Sequence, residues 1–356
     1  MTNTPGPAQI DAAAPVLVTG GSGYVASWIV RYLLEDGRTV RATVRDPKKA
    51  KGLEHLHALA AAHPGRLTLH RAELLEPGSY TEAMAGCELV IHTASPFLLG
   101  KIRDPQLQLV APALEGTKNV LASVDETATV KRVVLTSSVV AICGDNIDMR
   151  GKDQFTEDDW NTTSTLDHQP YPYSKTVAER EAWAMQGAQD RWDLVTIHPG
   201  LVVGPSLTKA SKSGTFRTMG SFTDYSLATG APALEMGVVD VRDVARAHIA
   251  AGFTPAAHGR YITNAETMSM LDISHALRAK FGWRPSFPLL EAPKALIKLA
   301  APVAGLTRKF VELNVGYPLR FDNTRTVADL GITFRPGAQS VTEHFQQMID
   351  DGLVRG

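Results

Sequence analysis

The sequence predicts an α/β protein, a doubly wound parallel sheet followed by a smaller, partly discontinuous C-terminal lobe. Three observations carry that expectation. Short apolar runs alternate with segments of helical period from Val16 to Val203, a glycine turn separates the first run from the first helix, and beyond Gly204 the alternation stops. Apolar strands alternating with helices build a parallel sheet covered on both faces.

Val16-Leu17-Val18-Thr19-Gly20 is the first strand, and Gly21-Ser22-Gly23-Tyr24-Val25-Ala26 is the turn after it. The periodic segment Ser27 to Glu35 follows, with Trp28, Ile29, Tyr32 and Leu33 on one face. The glycines read either as Gly20-x-x-Gly23 or as Gly21-x-Gly23-x-x-Ala26. In both readings the turn lets backbone approach a pyrophosphate, and the helix offers it free N–H groups and a positive dipole. Ala26 is small enough for the helix to lie close to the strand. This is the pattern of a dinucleotide-binding Rossmann unit.

Thr39 to Arg45 is a second strand, with Val40, Ala42 and Val44 alternating against polar neighbours. Its end falls about twenty residues past the glycines, where an acidic side chain would hold the adenosine ribose of NAD. Arg45 stands there instead, followed by Lys48, Lys49 and Lys51. A cation suits the 2′-phosphate of NADP, which Arg can grip with two hydrogen bonds. Asp46 opposes that charge.

The alternation continues. His55, His57 and His63 lie in a polar, helix-like stretch expected to face solvent. Leu67 to Leu74 reads as a strand, Tyr80 to Ala85 as a short helix, and Glu88 to Ala94 as a strand ending in His92-Thr93-Ala94-Ser95-Pro96. A helix from Gln106 to Val124 precedes the strand Arg132 to Ser138, and Leu194 to Val203 is a further strand carrying Pro199-Gly200. Ligands of such sheets bind beyond the carboxyl ends of the strands. The glycine turn, Arg45, Thr93, Ser138 and Pro199 therefore share one rim.

Tyr171-Pro172-Tyr173-Ser174-Lys175 opens the helix between those last two strands. Residues four apart share a helical face, so Lys175 is expected close to the Tyr171 hydroxyl. A neighbouring positive charge lowers a phenol's pKa from about 10, making the pair a general acid/base. Topology brings Ser138 to the same rim. Ser137 competes for that place, but adjacent strand residues point to opposite faces, so only one of the two faces the site. Ser137 would then be satisfied by neighbouring backbone.

Taken in order, these segments resemble the extended short-chain dehydrogenase/reductase family, most nearly its branch of dihydroflavonol reductases, cinnamoyl-CoA reductases and microbial carbonyl (aldehyde) reductases. The resemblance rests on Val18 to Ala26, Val40 to Pro47, Gly116-Thr117-Lys118-Asn119-Val120, Lys131 to Ser138 and Tyr171 to Lys175. It continues through His198 to Pro205, Val239 to Ala245 and the tail around Phe321-Asp322-Asn323. It implies that Ser138 binds the substrate carbonyl oxygen, that Tyr171 protonates it, and that Lys175 holds the nicotinamide ribose and tunes Tyr171. It implies a cofactor cradle of Gly20, Ser22, Gly23, Tyr24 and Val25, with Arg45 and Lys51 toward the 2′-phosphate. Glu73 and Leu74 would flank the adenine. Thr93, Ala94 and Ser95 would line the channel, and Pro199 and Val202 would border the nicotinamide. Two departures stand out. The family usually has Asp where Glu73 stands, and many plant members have Asn where Cys143 stands. A thiol substitutes poorly for an amide on a flavonoid hydroxyl, which argues against a flavonoid substrate.

The expected division is a NADP-binding Rossmann domain over 12–204 with a return segment at 239–267, and a substrate-binding lobe over 205–356. Residues 205–238 are rich in Ser, Thr and Gly without a clear period, and Val239 to Ala251 and Arg260 to Asn264 read as a return to the sheet. Hydrophobic residues make up 44% and charged residues 21% of the 356, as in globular enzymes. Thirty-six basic against thirty-seven acidic residues leave a net charge of −1, so no broad electrostatic case exists for nucleic acid or an anionic membrane. Cys87 and Cys143 alone give no disulfide framework and fit a reducing, cytoplasmic compartment. Met1 to Pro15 lacks the pattern of a secretory signal. No metal-ligand cluster is apparent. Ala292 to Leu306 is apolar, but Pro293 and Pro302 limit its regularity, so a lid or core helix is favoured over a membrane-surface helix.

The expected activity is NADPH-dependent reduction of an aldehyde or ketone by a monomer or homodimer. The alternatives on the same scaffold are a nucleotide-sugar epimerase or dehydratase and a 3β-hydroxysteroid dehydrogenase. A non-catalytic NADP sensor would not need a proton donor. Pro96, Phe97, Leu98, Cys143, Phe216, Met219, Phe222 and Tyr225 are candidate wall residues for a hydrophobic or aryl carbonyl substrate. Lys209, Lys212 and Arg217, spaced irregularly among Ser and Thr, read as a solvated loop rather than a second pyrophosphate site.

Overall fold

The structure is a computed structural model that describes residues 8–95, 102–208, 214–224, 226–227 and 230–354. Strand β1 (Val16–Thr19) is wholly buried and leads through the glycines into α1 (Tyr24–Glu35). The helix starts three residues earlier than its apolar period suggested, because the glycine turn closes directly onto its first N–H groups. Strand β2 (Val40–Val44), α2 (Glu54–Ala62), β3 (Leu67–Arg71), α3 (Thr81–Met84) and β4 (Leu89–His92) follow. Helix α4 (Ala111–Glu126) is preceded by a wide π-type turn at Gln106–Val110, where one regular helix had been expected. Pro112 has no N–H to give to the turn before it, and a locally widened helix accommodates that loss. Strand β5 (Arg132–Thr136), α5 (Pro170–Gly187) and β6 (Asp193–Pro199) complete the run.

These strands form a seven-stranded sheet in the order β3-β2-β1-β4-β5-β6-β9, with every pairing parallel, β9 (Gly259–Thr263) lying on the far edge. Successive residues of β1 enter opposite cores. Val16 and Val18 pack with Ile29 and Leu33 of α1 and with Val241 and Ala245 of α7 (Val241–Phe253). Leu17 packs with Met84, Val120, Val124 and Trp192 on the other face. A strand buried on both faces cannot alternate, and β1 does not.

The expected strand from Leu194 to Val203 divides at Gly200. Strand β7 (Leu201–Val203) leaves the main sheet and pairs with β8 (Glu235–Asp240), which pairs with β10 (Glu266–Ser269). A Cβ on Gly200 would lie 2.5 Å from the Gly237 carbonyl oxygen, so the two backbones touch where the chain changes sheets. The expected return from Val239 is thus split. β8 belongs to the small sheet, while α7 and β9 rejoin the large one. The small sheet shares a core with α6 (Gly214–Gly220), α8 (Met270–Phe281) and α12 (Gly337–Asp350), centred on Met219, Phe222, Leu277 and Phe345. Helices α9 (Lys294–Ala300), α10 (Arg308–Asn314) and α11 (Thr324–Leu330) complete the chain.

Two expectations on surface segments change. α9 buries none of its own residues, and Leu299 and Val303 are 70% and 95% exposed, so the 292–306 segment is no core helix. Its prolines confine regular helix to seven residues, of which Ile297 packs, with Ala301 just beyond, on Val311 and Val315. His55 is half-buried rather than solvated, with Nε2 2.9 Å from the Ser27 hydroxyl, because α2 lies on α1. Among the described residues no helix is long and apolar enough to cross a membrane.

Candidate active site

The carboxyl ends of the strands are knitted together by backbone and hydroxyl contacts. Gly20 adopts φ +65° and packs on Ala94, which a Cβ there would approach to 3.1 Å. A Cβ on Gly21 would meet that of Ala42 at 2.7 Å. Thr19 Oγ1 accepts from the Thr93 and Ala94 N–H groups, both at 3.1 Å, and the Thr93 hydroxyl donates to the Thr19 carbonyl. The β1 and β4 ends are therefore joined by two threonine hydroxyls as a cradle, and Gly20 and Gly21 keep the turn beside it free of side chains. Gly23 caps α1 without a side-chain hydrogen bond, and the first turn holds no acidic residue. That leaves the helix N-terminus suited to a phosphate, and the cradle fits a dinucleotide.

The expected cofactor residues fall in distinct places. Ser22 is exposed and Val25 half-buried at the mouth of the turn. Tyr24 instead donates its hydroxyl to the Gly204 carbonyl at 2.5 Å, and burial followed by the charge of Asp240 raises its pKa well above the ordinary phenol value. It braces β7 against α1. Arg45 is exposed at the end of β2 and makes no hydrogen bond or ion pair among the described residues, while Asp46 turns back to the Lys48 N–H. Lys51 sits in the exposed turn beyond, away from the rim contacts. Glu73 and Leu74 lie past β3 in a loop that Asn119 ties through the Leu74 and Glu76 carbonyls. Gly116 is required there, since a Cβ would fall 2.5 Å from the Leu74 side chain. Ser95 is exposed at the end of the β4 segment. Val202 is half-buried in β7, one strand removed from the main sheet.

Ser137 and Ser138 do face opposite ways. The Ser138 hydroxyl donates to the Pro199 carbonyl at 3.3 Å and accepts from the Val140 N–H, capping a short turn on which α5 packs. The Ser137 hydroxyl is buried and donates to Glu179 Oε2 at 2.5 Å, so its partner is a carboxylate and not the expected backbone.

Helix α5 begins from Gln169, whose φ of 59° is the only left-handed non-glycine conformation among the described residues. Tyr171 follows on the first turn and remains 38% exposed. The protein around its phenol desolvates the hydroxyl and raises its pKa. The expected lowering by Lys175 is absent: desolvation alone sets the direction for the phenol, and Lys175 Nζ donates instead to the Thr136 carbonyl at 3.1 Å. Burial pushes the Lys175 pKa down to about 8, against the opposing charge of Glu179.

Sequence reasoning missed the buried groups behind this rim. Glu179 Oε2 bonds His198 Nε2 at 2.8 Å, and Oε1 accepts from Arg260 Nε at 2.8 Å and Trp183 Nε1 at 3.2 Å. Burial alone would raise the Glu179 pKa, but His198, Arg260 and Ser137 outweigh it and hold the carboxyl well below its ordinary range. The signal was the carboxylate four residues past Lys175, on the same helical face. Buried Asp145 bonds His168, Gln169 and Asn314 of α10. No local pattern marked that convergence.

Three candidate wall residues prove otherwise placed. Cys143 is buried with Val139, Met149 and Phe155, its thiol pKa raised by burial and then by Asp148. Met219 and Phe222 are fully buried in the core of the small sheet, where apolar residues of the 205–238 segment were needed for packing. Pro96, Phe97, Leu98, Tyr225, Lys209 and Lys212, with the side chains of Phe216 and Arg217, lie outside the described residues. Among the described residues no group of His, Cys, Asp and Glu forms a metal site.

A parallel sheet whose glycine turn opens at its switch point is the frame of a nicotinamide-dependent oxidoreductase. The family model of the NAD dependent epimerase/dehydratase family matches residues 16–262, and the chain belongs to this extended short-chain dehydrogenase/reductase family. It is 40% identical to cinnamoyl-CoA reductase CAD2 of Medicago truncatula over 78% of this chain and 82% of that protein. It is 35% identical to tetraketide alpha-pyrone reductase 1 of Arabidopsis thaliana over 96% of this chain and 98% of that one. Among solved structures, Gre2 of Candida albicans in complex with NADPH superposes with a TM-score of 0.75 at 26% identity, covering 95% of this chain and 99% of that chain.

Proposed function

We propose that this protein is an NADPH-dependent carbonyl reductase acting on hydrophobic or aryl aldehydes and ketones. NADPH supplies the hydride to the carbonyl carbon. Tyr171 gives its proton to the oxygen, and Ser138 donates a hydrogen bond that strengthens as negative charge develops there. Lys175 holds the nicotinamide ribose. Arg45 takes the 2′-phosphate. The observation that supports this reading is that Lys175, one turn past Tyr171 on α5, bonds the Thr136 carbonyl at the end of β5, two residues before Ser138. The named reductases among its relatives support it. We assign 12–204 with 239–267 to the cofactor and 205–356 to the substrate, the small sheet forming the seam.

The test is a panel of aldehydes, ketones, β-ketoesters, steroids and nucleotide sugars, scored by consumption of NADPH and of NADH. Turnover of hydrophobic carbonyls with NADPH supports the reading. Saturable nucleotide-sugar binding with exchange at a ring carbon and no net NADPH consumption would replace it with the epimerase. Activity confined to 3β-hydroxysteroids would narrow it to that branch.

A further inference from the structure

Lys175 and Glu179 are one helical turn apart on α5, and both line a small cavity of about 20 Å³ with His92, Thr136 and Ser137. A space of that size holds a single water molecule. Lys175 makes no direct ion pair among the described residues; its ammonium donates to the Thr136 carbonyl at 3.1 Å. Its ammonium is therefore stabilised by a dipole at contact and by whatever charges stand across the cavity.

The charges are few. On β4, His92 is bound through Nδ1 to Thr19 Oγ1 at 2.7 Å, and burial with Lys175 pushes its pKa down to about 3, so it is neutral at ordinary pH. On α7, His248 reaches the Thr136 hydroxyl at 2.7 Å and is likewise neutral, its pKa pushed down to about 4 by burial. Tyr171 on α5 is uncharged at neutral pH. Glu179 is the remaining group, fixed from β6 by His198, from β9 by Arg260, from the end of β5 by Ser137 and from its own helix by Trp183. Arg260 is itself held by the Glu157 and Asp159 carbonyls and stacks on Trp160. Four donors from four elements serve a carboxylate 1% exposed.

We propose that Glu179 is a positioning residue for the reaction: a fixed counter-charge that keeps Lys175 cationic across the cavity and sets the upper pH limit of NADPH binding. This rests on the reading that Lys175 holds the cofactor ribose. An ammonium lost with rising pH is a lost donor and a lost charge, and a carboxylate nearby postpones that loss.

The test is NADPH affinity, followed by fluorescence titration from pH 6 to pH 10, without substrate. In the unmutated protein affinity falls as Lys175 deprotonates. In Glu179→Gln the fall begins about one pH unit lower, so affinity is near normal at pH 6 and about tenfold weaker on the alkaline limb. Lys175→Arg, which stays charged throughout, abolishes the limb. If Glu179→Gln does not fold, Arg260→Gln reads the same field with the opposite sign, because a less compensated carboxylate moves the limb upward. Equal weakening of Glu179→Gln at every pH, an unmoved limb, or a limb surviving in Lys175→Arg overturns the proposal. No NADPH binding at any pH in the unmutated protein would instead overturn the cofactor reading.

Discussion

Gln169 donates through Nε2 to Asp145 Oδ1 at 2.7 Å, and the same nitrogen reaches the Gly144 carbonyl at 2.7 Å. These contacts hold a left-handed residue immediately ahead of the helix that carries Tyr171. A left-handed non-glycine residue costs about 1–2 kcal/mol, so the hydrogen bonds are what keep α5 starting where it does. Asn314 donates to the same Asp145 oxygen at 2.6 Å, tying α10 into the start of α5.

Gln169→Ala keeps the strained conformation and loses both contacts. It should lose about 1–3 kcal/mol of stability and lower turnover more than NADPH affinity. Gln169→Gly should be about 1 kcal/mol more stable than Gln169→Ala, since glycine relieves the strain. Denaturant unfolding with steady-state kinetics on all three chains checks this. Equal stability of the two variants would show that the backbone strain carries no weight.

Tyr171→Phe removes the acid and keeps the ring, so turnover should fall on the order of 10²- to 10⁴-fold while NADPH still binds. Near-normal turnover would shift the role to another acid, with half-buried Tyr173 the first candidate.

Arg45 is free of protein partners among the described residues at the end of β2, and a charge-assisted contact is worth about 1.5–3 kcal/mol. NADPH should be preferred over NADH by roughly ten- to a hundred-fold. Arg45→Asp should shrink or invert the ratio of kcat/KM values. Equal efficiency with both cofactors in the unmutated protein would remove the argument.

His92 and His248 are both held neutral, with pKa values pushed down to about 3 and about 4 by burial. An unfolded histidine titrates near 6.5, so below that pH the unfolded chain binds more protons and stability falls. Each residue should subtract up to about 1.4 kcal/mol per pH unit between pH 6 and its folded pKa. His248→Gln should make the acid side of the stability profile shallower. An unchanged slope in chemical denaturation between pH 6 and 4.5 would count against it.

The parallel sheet was legible from sequence because short apolar runs alternate with segments of helical period and a glycine turn follows the first run. Gly20 and Gly21 could be assigned from their neighbours alone. The division of the Leu194 to Val203 run was hidden, since β6 and β7 are equally apolar and only the contact of Gly200 with Gly237 separates them. Tyr171 and Lys175 were read from their spacing, and Ser138 from topology and the family resemblance. Glu179, His198, Arg260 and Asp145 did not stand out, because their partners arrive from other elements up to 169 residues away. Met219 and Phe222 misled for a related reason: an apolar residue in a segment without period looks the same whether it lines a pocket or fills a core.

The last strand of the large sheet, β9, is laid down only after the chain has passed through two strands of the small one, and its register partners in β6 lie 64 residues earlier. The two halves are therefore interlocked and cannot be exchanged as modules. A chain cut at Gly204 would leave the apolar edge of β6 unpaired and α1 stripped of α7, a template for strand addition between molecules. Such a fragment would aggregate, visible as light scattering during refolding. The intact chain must close its longest loops late, which makes non-local pairing at this edge the natural slow step of its folding. Grafting the C-terminal half whole from a relative would accordingly break the β6–β9 edge, whereas point replacements within it would leave that edge intact.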